Sequence, residues 1–444
     1  MERRVLTSME EWRNSPTRKP LLLDGIRQVG KTWALKEFGR RAYDNLAYFP
    51  LDRDPDARQL FENTKDPYRL VRQLSLLTRQ PINPATTLLV IDEIQRCGPA
   101  LESLKYFCEE APEYHVAAAG SLLGVSMSGT SYPVGKVDTL AVRPMTFSEF
   151  LAAAGEQDFL DYLTGIDALI PIPDVFFNRI LELFREYLAT GGMPEPLNRW
   201  LVTGDISRTD DALREILLAY ERDFAKHAPA QIVPKIRLVW QSLPSQLARE
   251  NKKFLYKTVK PGARAREYED AIQWIVDAGL AEKIYRSTGP GIPVAAYDEV
   301  DAFKLYLPDV GLLRRQANLP SSVVVRGNEL FTEFKGSLAE NYILQALECV
   351  YEGQPRYWAE DNPRHEVDFL VQHGTKVIPI EVKSGTSVKS TSMKAYRRKF
   401  QEKVPISVRF SLRNLRLDGD VLCIPLFMAD WTDKLIDLAL AQLN

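Results

Sequence analysis

The sequence predicts an α/β fold of several domains, opening on a parallel-sheet core. Three observations carry this expectation. Continuous apolar runs at residues 20–24 and 87–91 read as strands buried on both faces of a sheet. A glycine-bearing loop joins the first run to a segment with helical spacing. The chain has 444 residues, and at roughly 100–200 residues per domain it should hold two to four domains.

Composition narrows the classes. Hydrophobic residues make up 45% and charged residues 26%, the balance of a globular chain rather than a disordered one. Lys and Arg number 57 against 59 Asp and Glu, a net charge of −2 that excludes a uniformly basic nucleic-acid coat and leaves room for local patches. Cys97, Cys108, Cys349 and Cys423 form no CxxC pair, and His115, His227, His365 and His373 make no zinc-ligand spacing with them. A disulfide framework or zinc module is therefore not expected, and a reducing cytoplasm suits the chain. Residues 1–12 carry charges throughout and lack an apolar signal core. No uncharged apolar stretch approaches the roughly 18 residues of a membrane span, so no membrane partner is expected.

The strand at residues 20–24 enters Gly25-Ile26-Arg27-Gln28-Val29-Gly30-Lys31-Thr32, a GxxxxGKT loop, and residues 33–38 continue as a helix. This strand–loop–helix order is what a phosphate-binding loop requires. Gly25 and Gly30 let the backbone turn and bring N–H groups to phosphate oxygens, and the helix N-terminus adds partial positive charge. Gln28, Val29 and Trp33 complete the expected nucleotide cradle. Lys31 is expected on the β and γ phosphates and Thr32 on Mg²⁺. The second run ends in Asp92-Glu93 at the C-terminal end of a strand, where ligands of open α/β sheets bind. Asp92 is expected to hold the Mg²⁺ shell and Glu93 to polarise the attacking water. A pair of N-cap acids is the competing reading. The candidate strand at residues 115–119 runs into Gly120-Ser121. Ser121 is the candidate sensor of the γ-phosphate in an ATPase with an additional central strand, and an ordinary Gly-Ser turn is the alternative.

The motifs GIRQVGKT, LLVIDEIQ, AAGSLLG, VRPMTFSEF and YLATGGMPE, in this order, resemble the prokaryotic AAA-like (AAA_14) ATPases with a C-terminal DUF4143 region. The resemblance implies ATP rather than GTP. It implies a P-loop NTPase core over residues 1–155, a helical lid over 156–225, a winged-helix-like module over 226–300 and a DUF4143 or PD-(D/E)XK nuclease-like α/β domain over 301–444. That family tends to carry Gly-Arg before the PxxFxEF segment. Here Gly135-Lys136 stands there, so an arginine's role passes to Lys136 or Arg143 or is lost.

Residues 175–190 place Phe176, Ile180, Leu183, Phe184 and Tyr187 at helical spacings, an apolar core face with Gly191-Gly192 as C-cap and hinge. Residues 231–266 hold nine Lys and Arg against one carboxylate, Glu250. A helical stretch at 271–278 then runs into an apolar strand. Duplex DNA is the expected partner of this basic run; a solvated face or an interdomain contact is the alternative. Tyr306 to Leu313 resembles the DxGL junction of the same family.

The C-terminal region carries a second constellation. Glu340 lies in an amphipathic helix, Asp368 in an alternating strand, and Glu381 and Lys383 stand at i, i+2 in the next. This order is similar to a nuclease-like site, in which carboxylates hold a hard divalent ion and the lysine orients water or stabilises developing charge. An inherited fold that keeps its acids for structure is the alternative. Residues 371–416 contain eleven Lys and Arg against Glu381 and Glu402, the footprint of a phosphate-backbone binder. The expectation is a Mg²⁺-dependent ATPase, oligomeric or not, coupled to DNA. Two rivals are an ATP-gated DNA endonuclease and a nucleotide-dependent signalling switch that holds a protein partner.

Overall fold

The computed structural model describes residues 2–121, 123–126, 132–249, 252–326, 332–360, 365–385 and 390–443. Glu250 and Lys389 of the two basic runs, and Leu122 of the AAGSLLG motif, lie outside the described residues. The chain packs as two units. One comprises residues 1–143 with 225–229 and 277–280, the other residues 144–224, 230–276 and 281–444.

The first unit is built on a five-stranded sheet. Its strands are β1 (Leu21–Asp24), β2 (Asn45–Pro50), β3 (Thr87–Asp92), β4 (His115–Ala119) and β5 (Asp138–Ala141), in the order β2-β3-β4-β1-β5. Every neighbouring pair is parallel. Parallel strands need crossovers, and helices Lys31–Ala42, Pro55–Asn63, Pro67–Thr78 and Gly98–Glu110 supply them. Two start signals are explicit in the chain: Asp54 accepts from the Ala57 N–H and Asp66 from the Arg69 N–H, each just before a proline in the first helical turn. The continuous apolar runs are buried along their length in β3 and β4, as a sheet covered on both faces demands. Phe49, Phe61, Leu70, Leu74, Leu89, Ile91, Leu101 and Leu104 form the core on one side. β4 lies between β1 and β3, so the expected additional central strand is present and Ser121 sits just beyond its C-terminal end, buried.

The second unit carries helices followed by an eight-stranded sheet. Helix Asp174–Thr190 buries Phe177, Ile180, Leu183, Phe184 and Tyr187. Phe176, expected on the same face, is exposed and packs edge-on against Phe159 and Tyr162 instead. Helices Val233–Leu247, Tyr256–Val259 and Ala265–Asp277 precede an antiparallel hairpin of β6 (Glu282–Ser287) and β7 (Asp298–Tyr306). After helix Thr332–Val350 come β8 (Arg356–Ala359), β9 (Glu366–His373), β10 (Lys376–Val382), helix Thr391–Lys399, β11 (Ser407–Ser411), β12 (Arg416–Asp418) and β13 (Val421–Pro425). The order across the sheet is β12-β13-β11-β10-β9-β8-β6-β7. β8, β9 and β10 form an antiparallel meander, and β11 joins β10 in parallel.

Two segments that the sequence marks as distinctive meet inside this unit. Asp309, fully buried, accepts from the Gly192 N–H at 2.5 Å and the Leu312 N–H at 2.9 Å. The Gly192 carbonyl accepts from the Met145 N–H at 2.7 Å, and the Tyr187 hydroxyl donates to the Met145 carbonyl at 2.7 Å. Gln345 donates to the same tyrosine oxygen at 2.9 Å. The segments YLATGGMPE and LPDVGLL are thus two halves of one buried hydrogen-bond network.

Burial raises the Asp309 carboxyl to about 6, against the lowering effect of its backbone donors. A raised native pKa means that the folded chain binds more protons than the unfolded chain between about 3.8 and 6. This group's contribution to stability therefore falls as pH rises through that window. The melting temperature of the wild type minus that of Asp309→Asn should grow as the buffer is lowered from pH 7.5 to 5.5, read by thermal unfolding; a constant difference contradicts the assignment.

Candidate nucleotide-binding site

The GxxxxGKT loop lies where β1 gives way to helix Lys31–Ala42. Gly25 has φ 148°, and a Cβ there would stand 2.3 Å from the Val142 carbonyl oxygen, so only glycine fits. Gly30 has φ 101° at the residue before the helix, and Gln28 adopts a left-handed φ of 67°. Left-handed residues in such a loop turn successive N–H groups to one side, making a concavity for anions. Arg3 braces the loop from behind. Its guanidinium donates to the Val29 carbonyl at 3.0 Å and to the Arg143 carbonyl at 2.7 Å. A carbonyl turned to a guanidinium is turned away from a phosphate. Trp33 is 37% exposed in the first helical turn.

The Lys31 ammonium donates to the Gly25 carbonyl at 2.6 Å and the Ile26 carbonyl at 2.9 Å. Burial lowers its pKa to about 8, with Asp24, Glu93 and Asp92 pulling the other way. The Thr32 hydroxyl donates to Asp92 Oδ2 at 2.7 Å, so the loop and the end of β3 are in contact. Tyr48 of β2 donates to the same oxygen at 2.7 Å, and the Glu93 N–H to Asp92 Oδ1 at 3.0 Å. Glu93 itself is left-handed, φ 52°, and caps no N–H of the turn that follows. The N-cap alternative for Glu93 thus fails. Its carboxylate instead accepts from Gln95 at 2.6 Å. A non-glycine residue held left-handed is a constraint of the kind that gathers at functional sites. Thr32 and Asp92 present hard oxygens at one point beside the loop, which fits Mg²⁺; that ion takes one or two protein carboxylates together with substrate phosphates. Lys136 pairs with Glu109 at 2.9 Å on the surface. Sequence reasoning missed Arg3, Tyr48 and Gln95. Only Gln95, two residues past Glu93 in the same motif, left a signal that could have been followed.

The second constellation is wired differently from the expectation. Glu340 is buried in helix Thr332–Val350, ion-paired with Lys252 and accepting from the Tyr306 hydroxyl at 3.3 Å. Lys304, 0% exposed in β7, pairs with Glu366. Burial pushes the Glu340 carboxyl up, and the Lys252 and Lys304 ammonium groups overcome it, leaving the group below its ordinary value. Asp368 accepts from the Val382 N–H at 2.7 Å and is pushed up to about 7 by burial and by the charge of Glu340. Glu381 faces Lys383 at 3.0 Å and Arg409 at 3.3 Å. Among the described residues no three His, Cys, Asp or Glu side chains are grouped to hold a metal ion. The acids expected to share a divalent cation are each given to a lysine, an arginine or a backbone donor.

Ion pairing also thins the basic runs. Lys252 is buried against Glu340, Arg397 is paired with Asp420, Arg409 with Glu381, and Arg416 with Asp418. Helix Ala265–Asp277 shows exposed Glu267, Glu269 and Asp270 around Arg266, its one cation. Lys394, Arg398, Lys399 and Lys403 are exposed on and beside helix Thr391–Lys399.

Residues 17–151 match the family model of the AAA domain (AAA_14). Residues 181–323 match a domain of unknown function, DUF8612, and residues 335–427 another, DUF4143. The chain therefore carries an AAA-like ATPase domain followed by a DUF4143 region. No curated protein matches the sequence. Solved structures of similar course include the Walker-type ATPase PABY2304 of Pyrococcus abyssi, at 14% identity and TM-score 0.45, over 71% of this chain and 95% of that one. The ORC1 protein of Aeropyrum pernix in complex with DNA is 16% identical with TM-score 0.30, over 71% and 90%. AMPPCP-bound DnaA from Aquifex aeolicus is 13% identical with TM-score 0.28, over 62% and 86%. No helix among the described residues is long and apolar enough to cross a membrane.

Two outcomes follow from these contacts. Were a charged Lys31 to hold a nucleotide's phosphates, calorimetric affinity would fall as pH rises from 7 through about 8 to 9, and Lys31→Arg would flatten that fall. Removing one partner of a buried ion pair leaves an uncompensated charge, at a cost of about 3–5 kcal/mol. Lys252→Met should lose stability on that scale in denaturant unfolding, and Lys252→Met with Glu340→Gln should recover most of it.

Proposed function

We propose that the chain binds ATP with Mg²⁺ at the loop after β1, hydrolyses it slowly, and couples that cycle to duplex DNA held by its second unit. The observation that carries the reading is the contact of Thr32 with Asp92 beside a lysine-bearing anion cradle. In this reading Lys31 exchanges its two carbonyl acceptors for the β and γ phosphate oxygens, and the N–H groups of Gln28, Val29 and Gly30 hold the same oxygens. Trp33 borders the nucleotide. Thr32 and Asp92 would hold Mg²⁺, which when bound neutralises charge on the phosphates. Glu93, aimed by Gln95, polarises the attacking water, and Ser121 at the end of the central strand reads the γ-phosphate. Residues 156–225 serve as the helical lid. The three helices Val233–Leu247, Tyr256–Val259 and Ala265–Asp277 followed by the β6–β7 hairpin are the order of a winged helix. The acidic surface of the third of these helices favours a protein or domain contact over the major groove. DNA contact is therefore assigned to Lys394, Arg398, Lys399 and Lys403.

The order helix, β8, β9, β10, helix, β11, with Glu340, Asp368, Glu381 and Lys383 at the corresponding places, supports a nuclease-like fold. Whether it cuts is a separate matter. With Glu340 and Glu381 paired to cations and Asp368 held by a backbone N–H, the domain is read as holding DNA without cleaving it. Supercoiled plasmid should stay intact with Mg²⁺ or Mn²⁺ with or without ATP; nicking that disappears in Glu381→Ala would establish the ATP-gated endonuclease instead.

Glu93→Gln should keep ATP affinity and lose turnover by a hundredfold or so, within the usual range for a group acting on the proton in flight of about 10²–10⁴. Retained turnover assigns the water to another residue. Replacing Lys394, Arg398, Lys399 and Lys403 together should weaken duplex binding and flatten its salt dependence. Tight nucleotide binding with no salt-dependent DNA affinity in the parent chain would favour the signalling switch.

A further inference from the structure

Asp92 is surrounded more completely than hydrolysis alone requires. Its Oδ2 accepts from Thr32 and from Tyr48, both at 2.7 Å, and its Oδ1 from the Glu93 N–H at 3.0 Å. Tyr48 comes from β2, in register with Val90, which precedes Asp92 by two residues and so points to the same side of β3. Its ring is half-buried, and the Lys36 ammonium lies 4.0 Å above the ring centroid. Lys36 stands four residues after Thr32 on the same helix face. Helix Lys31–Ala42 therefore reaches Asp92 twice: directly through the Thr32 hydroxyl and indirectly through Lys36, the Tyr48 ring and its hydroxyl.

The consequences are physical. A carboxylate held by a single hydroxyl can rotate about its Cβ–Cγ bond. One held from both oxygens by three donors cannot. A cation over an aromatic face attracts the ring's electrons and makes the phenol a better hydrogen donor. Thr32, with its proton on Asp92, keeps its oxygen lone pairs free for a cation.

We infer that Tyr48 is a positioning residue for the nucleotide-bound metal: through its bond to Asp92 it fixes the carboxylate that, with Thr32, receives the divalent ion, and Lys36 strengthens that bond from the other face of the ring. The inference rests on the reading of the loop as a Mg²⁺–nucleotide site and adds to it a residue that no loop motif contains. The Tyr48 hydroxyl is spent on Asp92, so its effect belongs to the metal-dependent part of affinity and not to the nucleotide alone.

The test is calorimetric titration of the full chain with a non-hydrolysable ATP analogue, with Mg²⁺ and with EDTA, for the wild type, Tyr48→Phe, Lys36→Met and Asp92→Asn. The wild type should bind more tightly with Mg²⁺. Tyr48→Phe keeps the ring and should keep the metal-free affinity, while losing about tenfold of the metal-dependent gain, the scale of a hydrogen bond to a charged group. Lys36→Met, a surface change, should lose a smaller part of the same gain, and it keeps the inference open to refutation if Tyr48→Phe folds poorly. Asp92→Asn should lose most of the gain. A full metal-dependent gain in both Tyr48→Phe and Lys36→Met overturns this inference alone. A wild type that binds the analogue under neither condition overturns it together with the nucleotide site itself.

Discussion

The contact between the Thr32 hydroxyl and the Asp92 carboxylate is the constraint on which the first unit depends. These residues belong to different parts of the sheet: Thr32 follows β1, Asp92 ends β3, and β4 runs between those strands. The loop reaches across that strand because the helix starts immediately after it. Residues 117–119 of that strand are all alanine. A parallel sheet with ligand groups at the C-terminal ends of its strands is the general solution for bringing such distant residues together. Here the solution also fixes an aspartate by three donors drawn from the helix, a neighbouring strand and its own successor.

The second unit handles charge in the opposite manner. The first gathers Lys31, Asp92 and Glu93 at the C-terminal end of its sheet, with Lys31 donating to backbone carbonyls and Asp92 accepting from hydroxyls. The second buries Glu340 and Glu381 and answers each with a cation of its own, Lys252 and Arg409. Taking two charges out of water costs several kcal/mol per ion, and mutual attraction returns it only when the geometry is good. Glu340 meets that condition, since one oxygen faces Lys252 and the other Tyr306. Lys304 meets it with Glu366, the Tyr357 ring lying 4.6 Å away. Such a network favours one arrangement of β7, β9 and helix Thr332–Val350 over near alternatives.

The strands and the phosphate loop were legible because their signals are local. An apolar run bounded by turn residues needs no distant partner to be read as a buried strand, and GxxxxGKT contains its own backbone requirements at Gly25 and Gly30. The wiring of the acids was not legible, because it is not local. Lys252 is 88 residues from Glu340, and Lys304 is 62 from Glu366. Counting charges along residues 231–266 and 371–416 treats every cation as a surface charge. In the fold, Lys252 and Arg409 are buried against Glu340 and Glu381, and Arg397 and Arg416 are ion-paired with Asp420 and Asp418 nearer the surface. Tyr48 illustrates the same limit at the nucleotide site. Its position beside Asp92 follows from the register of β2 against β3, which no periodicity in either strand reveals. Phe176 shows that helical spacing identifies a face without locating its edge.

The bond from Gly192 to Asp309 spans 117 residues. It has a consequence for the order in which the chain is made. Translation proceeds from the N-terminus, and domains generally fold as units as they emerge. The strands of the first sheet, residues 21–141, leave the ribosome together and can close on one another. Phe147, Phe184 and Tyr187, which end up buried, then emerge long before Tyr342, the ring neighbour of Phe184 and Tyr187, exists, and before Asp309, the acceptor of the Gly192 N–H, does. Nascent chains stalled between residues 281 and 305 should therefore display the complete first unit joined to a helical segment whose apolar face is still bare.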